Sequence, residues 1–91
     1  MFVVVIVMES DKQRKSRLYW QCRRGMLELD YMLQHYFQQR FDQLSHKQQD
    51  AFEKLLGCED DQLFRYLFGE LKPLQQDLAD VIESIRTHVV D

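Results

Sequence analysis

The sequence predicts an all-α protein, a compact five-helix bundle with short connections. Only three of the 91 residues are glycine and one is proline, so few residues interrupt helices. Apolar residues recur at helical spacing in separate segments instead of alternating as in strands. A chain of this length fits one domain. We predict a single helical domain over residues 14–91, preceded by an N-terminal tail over residues 1–13.

The first two helices flank Gly25. A first helix is predicted over about residues 12–24, where Leu18 and Cys22 stand four positions apart and can share an inner face. The second helix carries the strongest pattern, because its apolar residues recur three and four positions apart and form one face. Those residues are Leu29, Met32, Leu33, Tyr36, Phe37, Phe41 and Leu44.

Three local signals predict the starts of the remaining helices. Ser45 and Gln48 form a capping-box pattern before the third helix. The acidic residues 59–61 favour the start of a fourth helix, and Pro73 favours the start of a fifth. Gly57 suits a left-handed position at the end of the third. Their predicted core residues are Phe52, Leu55, Leu56, Leu63, Phe64, Leu67, Phe68, Leu74, Leu78, Val81, Ile82, Ile85 and Val89.

The first eight residues form an apolar run that does not fit the rest of the chain. It is far shorter than the ~20 residues that span a bilayer, and it lacks the basic start and cleavage site of a signal peptide. We therefore expect a cytoplasmic protein with no membrane contact. Our hypothesis is that translation starts at Met8 and that residues 1–7 come from an over-extended gene start. An intact mass that includes Met1 would refute it.

Charge is unevenly distributed along the chain. The net charge is −3, yet residues 12–24 contain six basic and no acidic residues. With Tyr19 and Trp20 among them, these residues allow a nucleic-acid-binding module as an alternative. The acidic remainder and a pI of about 5.5 oppose it, because nucleic-acid-binding domains are usually strongly basic. We expect no nucleic-acid partner.

The sequence contains no pattern typical of catalysis or metal binding. His35, His46 and His88 are scattered, and neither CxxC nor HxxxH occurs. No glycine-rich phosphate loop is present. Cys22 and Cys58 are expected to be reduced, and Cys22 to lie in the core. We expect no enzyme, no metal site and no tightly bound cofactor.

Two segments carry a resemblance to a known family. The segment WQCRRGMLELD, residues 20–30, resembles the signature of the succinate dehydrogenase FAD assembly factor family, with its R-G-x-x-E core at Arg24, Gly25 and Glu28. The segment LLGCEDDQLF, residues 55–64, resembles the second block of that family. The resemblance extends over about residues 14–87.

The resemblance implies both a fold and a function. Members of this family are five-helix bundles that bind the flavoprotein subunit of succinate dehydrogenase and promote covalent attachment of FAD to it. The FAD and the reacting histidine belong to that partner. The resemblance leaves open whether fumarate reductase is a second client. Members have also been labelled antitoxins, so a toxin-neutralising protein is a further alternative. We expect a monomer.

The predicted partner-binding site is centred on the family motif. Arg24 offers a planar fork for carboxylates or carbonyls, and Gly25 allows two backbones to approach closely. Glu28 can accept hydrogen bonds from a partner. From spacing alone, Arg24 and Glu28 could instead form only a surface ion pair. Trp20 could be a core residue or an interface anchor. The other predicted site residues are Arg17, Arg23 and Met26.

Overall fold

The computed structural model describes residues 9–69 and 71–90, and it confirms the all-α prediction. Those residues form five α-helices and no strand. The hypothesis about Met8 and residues 1–7 concerns residues outside these ranges. The helices are α1 Asp11–Gln21, α2 Leu27–Arg40, α3 His46–Leu56, α4 Asp60–Phe68 and α5 Gln76–Val90, with a short 3-10 turn at Phe41–Gln43.

Capping boxes begin two of the helices. The predicted box at α3 is confirmed: Ser45 Oγ accepts from the backbone N–H of Gln48, and the Gln48 side chain accepts from that of Ser45. A second box, which the sequence analysis missed, joins Ser10 and Gln13 at the start of α1. Each box satisfies two backbone donors that the first turn of a helix leaves free.

The core lies where α5 packs against α2, α3 and α4, while α1 packs against α3. Tyr36 of α2 and Phe52 of α3 are fully buried, with ring centres 5.6 Å apart. The Tyr36 hydroxyl forms a 2.9 Å hydrogen bond with Ser84 Oγ of α5, so its polar end is satisfied. Leu18 and Cys22 are fully buried, which confirms the inner face predicted for α1.

Several predicted core and capping positions are wrong. Phe64 and Phe68 are 37% and 46% exposed, because α4 buries its other face through Leu63, Tyr66 and Leu67. Leu74 is fully exposed, because it precedes the first residue of α5. Gly57 closes α3 in a right-handed conformation with φ −74°, not the predicted left-handed one. The side chain of Val89 lies outside the described part.

The described part contains no helix that is both long and apolar enough to cross a membrane.

The two free cysteines differ in burial, and we expect them to differ in reactivity. Burial raises the pKa of Cys22 to about 12, and it also raises the pKa of half-buried Cys58. A raised pKa leaves less reactive thiolate at a given pH. Iodoacetamide at pH 8 should therefore modify Cys58 well before Cys22 in the folded protein, as read by peptide mass spectrometry. Equal labelling rates would contradict this.

Candidate functional site

The family motif lies at the junction of α1 and α2: Arg24 and Gly25 belong to residues 22–26, which we call the junction loop, and Glu28 follows in α2. The backbone N–H of Cys22 closes α1 by donating to the carbonyl of Leu18 at 3.0 Å. Met26 is the N-cap of α2, but its side chain makes no capping hydrogen bond. Glu28 lies in the first turn of α2. The loop therefore depends on side chains from elsewhere for its fixed shape.

Arg24 is directed into the protein. Its side chain is only 16% exposed, and its Nη2 donates to the carbonyl of Leu56 at the end of α3. Its Nη1 lies 3.7 Å from Oδ1 of Asp60, at the start of α4. Within the described residues no ion pair joins it to Glu28, the neighbour that spacing suggested. Arg24 thus connects the α1–α2 junction to the α3–α4 junction.

Two carboxylates hold the backbone of the junction loop. Asp60 Oδ2 accepts from the N–H of Gly25 at 3.2 Å, and Asp30 Oδ1 accepts from the N–H of Arg24 at 3.3 Å. Asp60 and Gly25 are 35 residues apart in the sequence, so this contact is tertiary. Asp60 was predicted to start a helix and lies in the segment 55–64 that resembles the second block of the family, but its contact with Gly25 was not predicted.

Four of the residues around Arg24 are exposed. Gly25 and Glu28 are exposed, and Trp20 is 64% exposed, so it is not a core residue. The Arg23 guanidinium lies 5.9 Å from the centre of the Trp20 ring, a cation–π contact that stiffens both side chains. Met26 is half-buried and packs against the core. The junction and the helix ends beside it thus expose a tryptophan, an arginine, a glycine and a glutamate.

Two exposed apolar residues of α2 extend this surface and were missed in the sequence analysis. Leu27 and Tyr31, 79% and 64% exposed, stand four positions apart and lie off the buried face of α2. They border a shallow cleft of about 310 Å³. Their spacing outside the core pattern was the signal that could have identified them. The residues that line the cleft are Leu27, Asp30, Tyr31, Gln34, His35 and Gln38.

Three of the four basic residues of α1 have acidic partners among the described residues. Arg17 pairs with Glu9 at 2.8 Å and with Glu53 at 3.3 Å, and its hydrogen bond lowers the pKa of Glu9. Arg14 pairs with Glu53 at 3.1 Å. Lys15 pairs with an acidic residue of the 3-10 turn. Much of the positive charge near the N-terminus is therefore neutralised locally.

These features define a small all-α bundle whose distinctive residues lie on an open helix junction. A model of the family described as "flavinator of succinate dehydrogenase" matches residues 16–89. The chain belongs to this family.

Similar proteins agree with this assignment. A FAD assembly factor SdhE of Legionella pneumophila (strain Paris) is 42% identical over 76 residues, which cover 84% of this chain and 95% of that protein. One of Pasteurella multocida (strain Pm70) is 44% identical over 73 residues, covering 77% and 87%. One of Idiomarina loihiensis is 40% identical over 75 residues, covering 82% and 83%.

Proposed function

We propose that this chain binds the flavoprotein subunit of succinate dehydrogenase through the α1–α2 junction and promotes covalent attachment of FAD to that subunit. Membership of the flavinator family supports the proposed process, the covalent attachment of FAD. The observation that carries the proposed site is that Gly25, on a loop fixed from within, and Glu28, in the first turn of α2, are both exposed. We define the client surface as Trp20, Arg23, Gly25, Leu27, Glu28 and Tyr31.

Gly25 supports this assignment because the fold itself does not require a glycine there. No glycine of the described part has a positive φ. A Cβ added to Gly25 would meet only Asp60 Oδ2, at an ordinary contact distance of 3.5 Å. The absence of a side chain therefore matters on the outer face of the loop. There it leaves room for the backbone of a partner to approach.

The composition of the client surface suits a protein partner. Exposed tryptophan, tyrosine and arginine are the side chains that contribute most to protein interfaces. Glu28 adds a carboxylate with no ion-pair partner among the described residues, so it is free to accept hydrogen bonds from a client. The pairing of Arg17 and Arg14 with carboxylates opposes the nucleic-acid alternative, which needs free basic residues.

The proposed role is to order the client rather than to react with FAD. Flavinylation is largely chemistry of the cofactor, and the protein supplies orientation. Holding the client histidine close to the flavin can contribute several kcal/mol to the rate. This chain would do so by binding the reactive arrangement of the client more tightly than the unreactive one. FAD stays with the client, and this chain acts as an assembly factor without a catalytic residue.

We propose a cytoplasmic location, in which Cys22 and Cys58 would stay reduced.

A reconstituted flavinylation assay tests the proposal. The flavoprotein subunit is incubated with FAD and this chain, and covalent flavin is measured by fluorescence of the denatured subunit. When the concentration of this chain limits the rate, Glu28→Gln should slow the reaction about tenfold. This is the effect of losing roughly 1.4 kcal/mol of binding free energy to the client, the flavoprotein subunit. The melting temperature of the variant should change little, because Glu28 is exposed and its charge in the first turn of α2 contributes only about 0.5 kcal/mol to stability.

The matched control is Glu83→Gln, which removes an exposed carboxylate of α5 and should leave the rate unchanged. A wild-type rate for Glu28→Gln would refute the proposed site. Capture of a small toxin instead of a flavoprotein from cells would favour the toxin-neutralising alternative. Tight nucleic-acid binding that weakens steeply with salt would favour the nucleic-acid alternative.

A further inference from the structure

We infer that Asp60, the first residue of α4, is a positioning residue for the client surface: its carboxylate fixes the junction loop in the conformation that the client binds. The inference rests on the proposed function and extends the site to an element outside the R-G-x-x-E motif. Asp60 does not itself touch the client in this proposal. It acts through the backbone of Gly25 and the guanidinium of Arg24.

The carboxylate of Asp60 uses both oxygens on the junction loop. Oδ2 accepts from the N–H of Gly25 at 3.2 Å, and Oδ1 lies 3.7 Å from Nη1 of Arg24. The same guanidinium donates to the carbonyl of Leu56. The side chain of Asp60 therefore holds two consecutive residues of the loop, Arg24 and Gly25. Arg24 also binds the end of α3.

The loop has few other constraints. Met26 provides no side-chain cap for α2, so the N–H groups of its first turn receive no cap from the loop. Glycine has the largest conformational freedom of any residue, and an unanchored Gly25 would sample many backbone states. Besides Asp60, the loop backbone is held by the N–H of Arg24, which donates to Asp30, and at its α1 end by the N–H groups of Cys22 and Arg23, which donate to the carbonyls of Leu18 and Trp20. Removing Asp60 therefore releases the residue at which the client is expected to approach most closely.

The position of Asp60 favours a functional over a purely structural role. Its side chain is 34% exposed, and contacts of partly exposed carboxylates add little to stability because water screens them. A client that binds a disordered loop, however, must order it first, and this cost reduces affinity. The energetic effect of Asp60 should therefore be seen in client binding more than in folding.

Asp61 provides a matched control on the same helix. It is the next residue of α4, it is exposed, and it lies in the same first turn. Both carboxylates interact favourably with the helix dipole, so either alanine substitution loses that contribution. Of these two carboxylates, Asp60 bonds to the junction loop, and among the described residues Asp61 does not. Any difference between the two variants in client binding thus reports the loop contact.

The experiment measures the affinity of the full chain for the FAD-loaded flavoprotein subunit. Asp60→Ala should weaken binding about fivefold or more, and Asp61→Ala less than twofold, a difference that corresponds to the loss of one coupled contact. Hydrogen exchange of the Gly25 amide, followed by NMR on the free chain, should be faster in Asp60→Ala than in Asp61→Ala. Asp60→Asn keeps one oxygen acceptor, so it should bind better than Asp60→Ala. It also provides a second test if the alanine variant folds poorly.

A double variant separates positioning from general destabilisation. Once Asp60 is lost, the loop no longer holds Gly25 in register with Glu28 of α2, so the client cannot contact both at once and Glu28→Gln should weaken binding less than it does alone. Fully additive effects, or wild-type affinity for Asp60→Ala and Asp60→Asn, would overturn the inference. If Glu28→Gln still weakens binding in that case, the proposed function stands without the role of Asp60. If Glu28→Gln also has no effect, the proposed function fails.

Discussion

Phe52→Ala is expected to lower the free energy of unfolding by about 3–5 kcal/mol, the usual cost of removing a large buried aromatic side chain. Phe52 is fully buried on α3. Its ring centre lies 5.6 Å from that of Tyr36, 6.2 Å from that of Phe37 and 6.0 Å from that of Phe41. The substitution opens a cavity where these three rings meet, and the rings cannot all move in to fill it.

The size of this effect matters because a domain of this length has a total stability of only about 5–15 kcal/mol. Urea unfolding followed by circular dichroism measures it. Phe68→Ala is the matched control, because Phe68 is 46% exposed at the end of α4 and its loss should cost roughly 1 kcal/mol or less. A cost below about 1 kcal/mol for Phe52→Ala would show that the packing described for α3 is wrong.

The buried face of α2 could be predicted from the sequence because the signal is local and repeated. Leu29, Met32, Leu33, Tyr36 and Phe37 recur at helical spacing, and all five are buried. The pattern extends over a helix of 14 residues, so a single exception would not change which face of the helix is predicted to be buried. The capping box at Ser45 was predictable for the same reason, because its two partners lie within one turn.

The exposed aromatic residues could not be predicted in this way. Trp20, Phe64 and Phe68 lie on helices that bury other faces, and only the tertiary arrangement decides which faces are covered. A short helix such as α4 has room for two apolar faces, and the sequence does not indicate which one meets the core. The exposure of Leu27 was not predicted because the apolar pattern of α2 identifies only the buried face of the helix, and Leu27 lies outside that face.

Arg24 illustrates the same limit at the candidate site. Local spacing offered Glu28 as its partner, four residues away. The observed partners are the carbonyl of Leu56, 32 residues away, and the carboxylate of Asp60. The motif therefore has two parts with different physical roles: Arg24 holds two helix junctions together, while Gly25 and Glu28 face outwards. A linear motif gives no sign of this division.

Arg24→Met is expected to lower the free energy of unfolding by roughly 1–3 kcal/mol, because it leaves the Leu56 carbonyl and the Asp60 carboxylate without a charged donor in a partly buried setting. The melting temperature should fall by several degrees for each kcal/mol lost. Client binding should weaken as well, because the junction loop loses one of its anchors. Chemical unfolding and the affinity for the flavoprotein subunit measure the two effects separately.

Arg86→Met is the control, because Arg86 is exposed on α5 and should change neither quantity by more than about 0.5 kcal/mol. Arg24→Lys keeps the charge but not the planar fork, so it should recover only part of the stability. The decisive comparison is between folding and binding. If Arg24→Met abolished client binding without lowering the free energy of unfolding, the guanidinium would have to leave Leu56 and reach the client. Arg24 would then belong to the client surface and not to the framework that supports it.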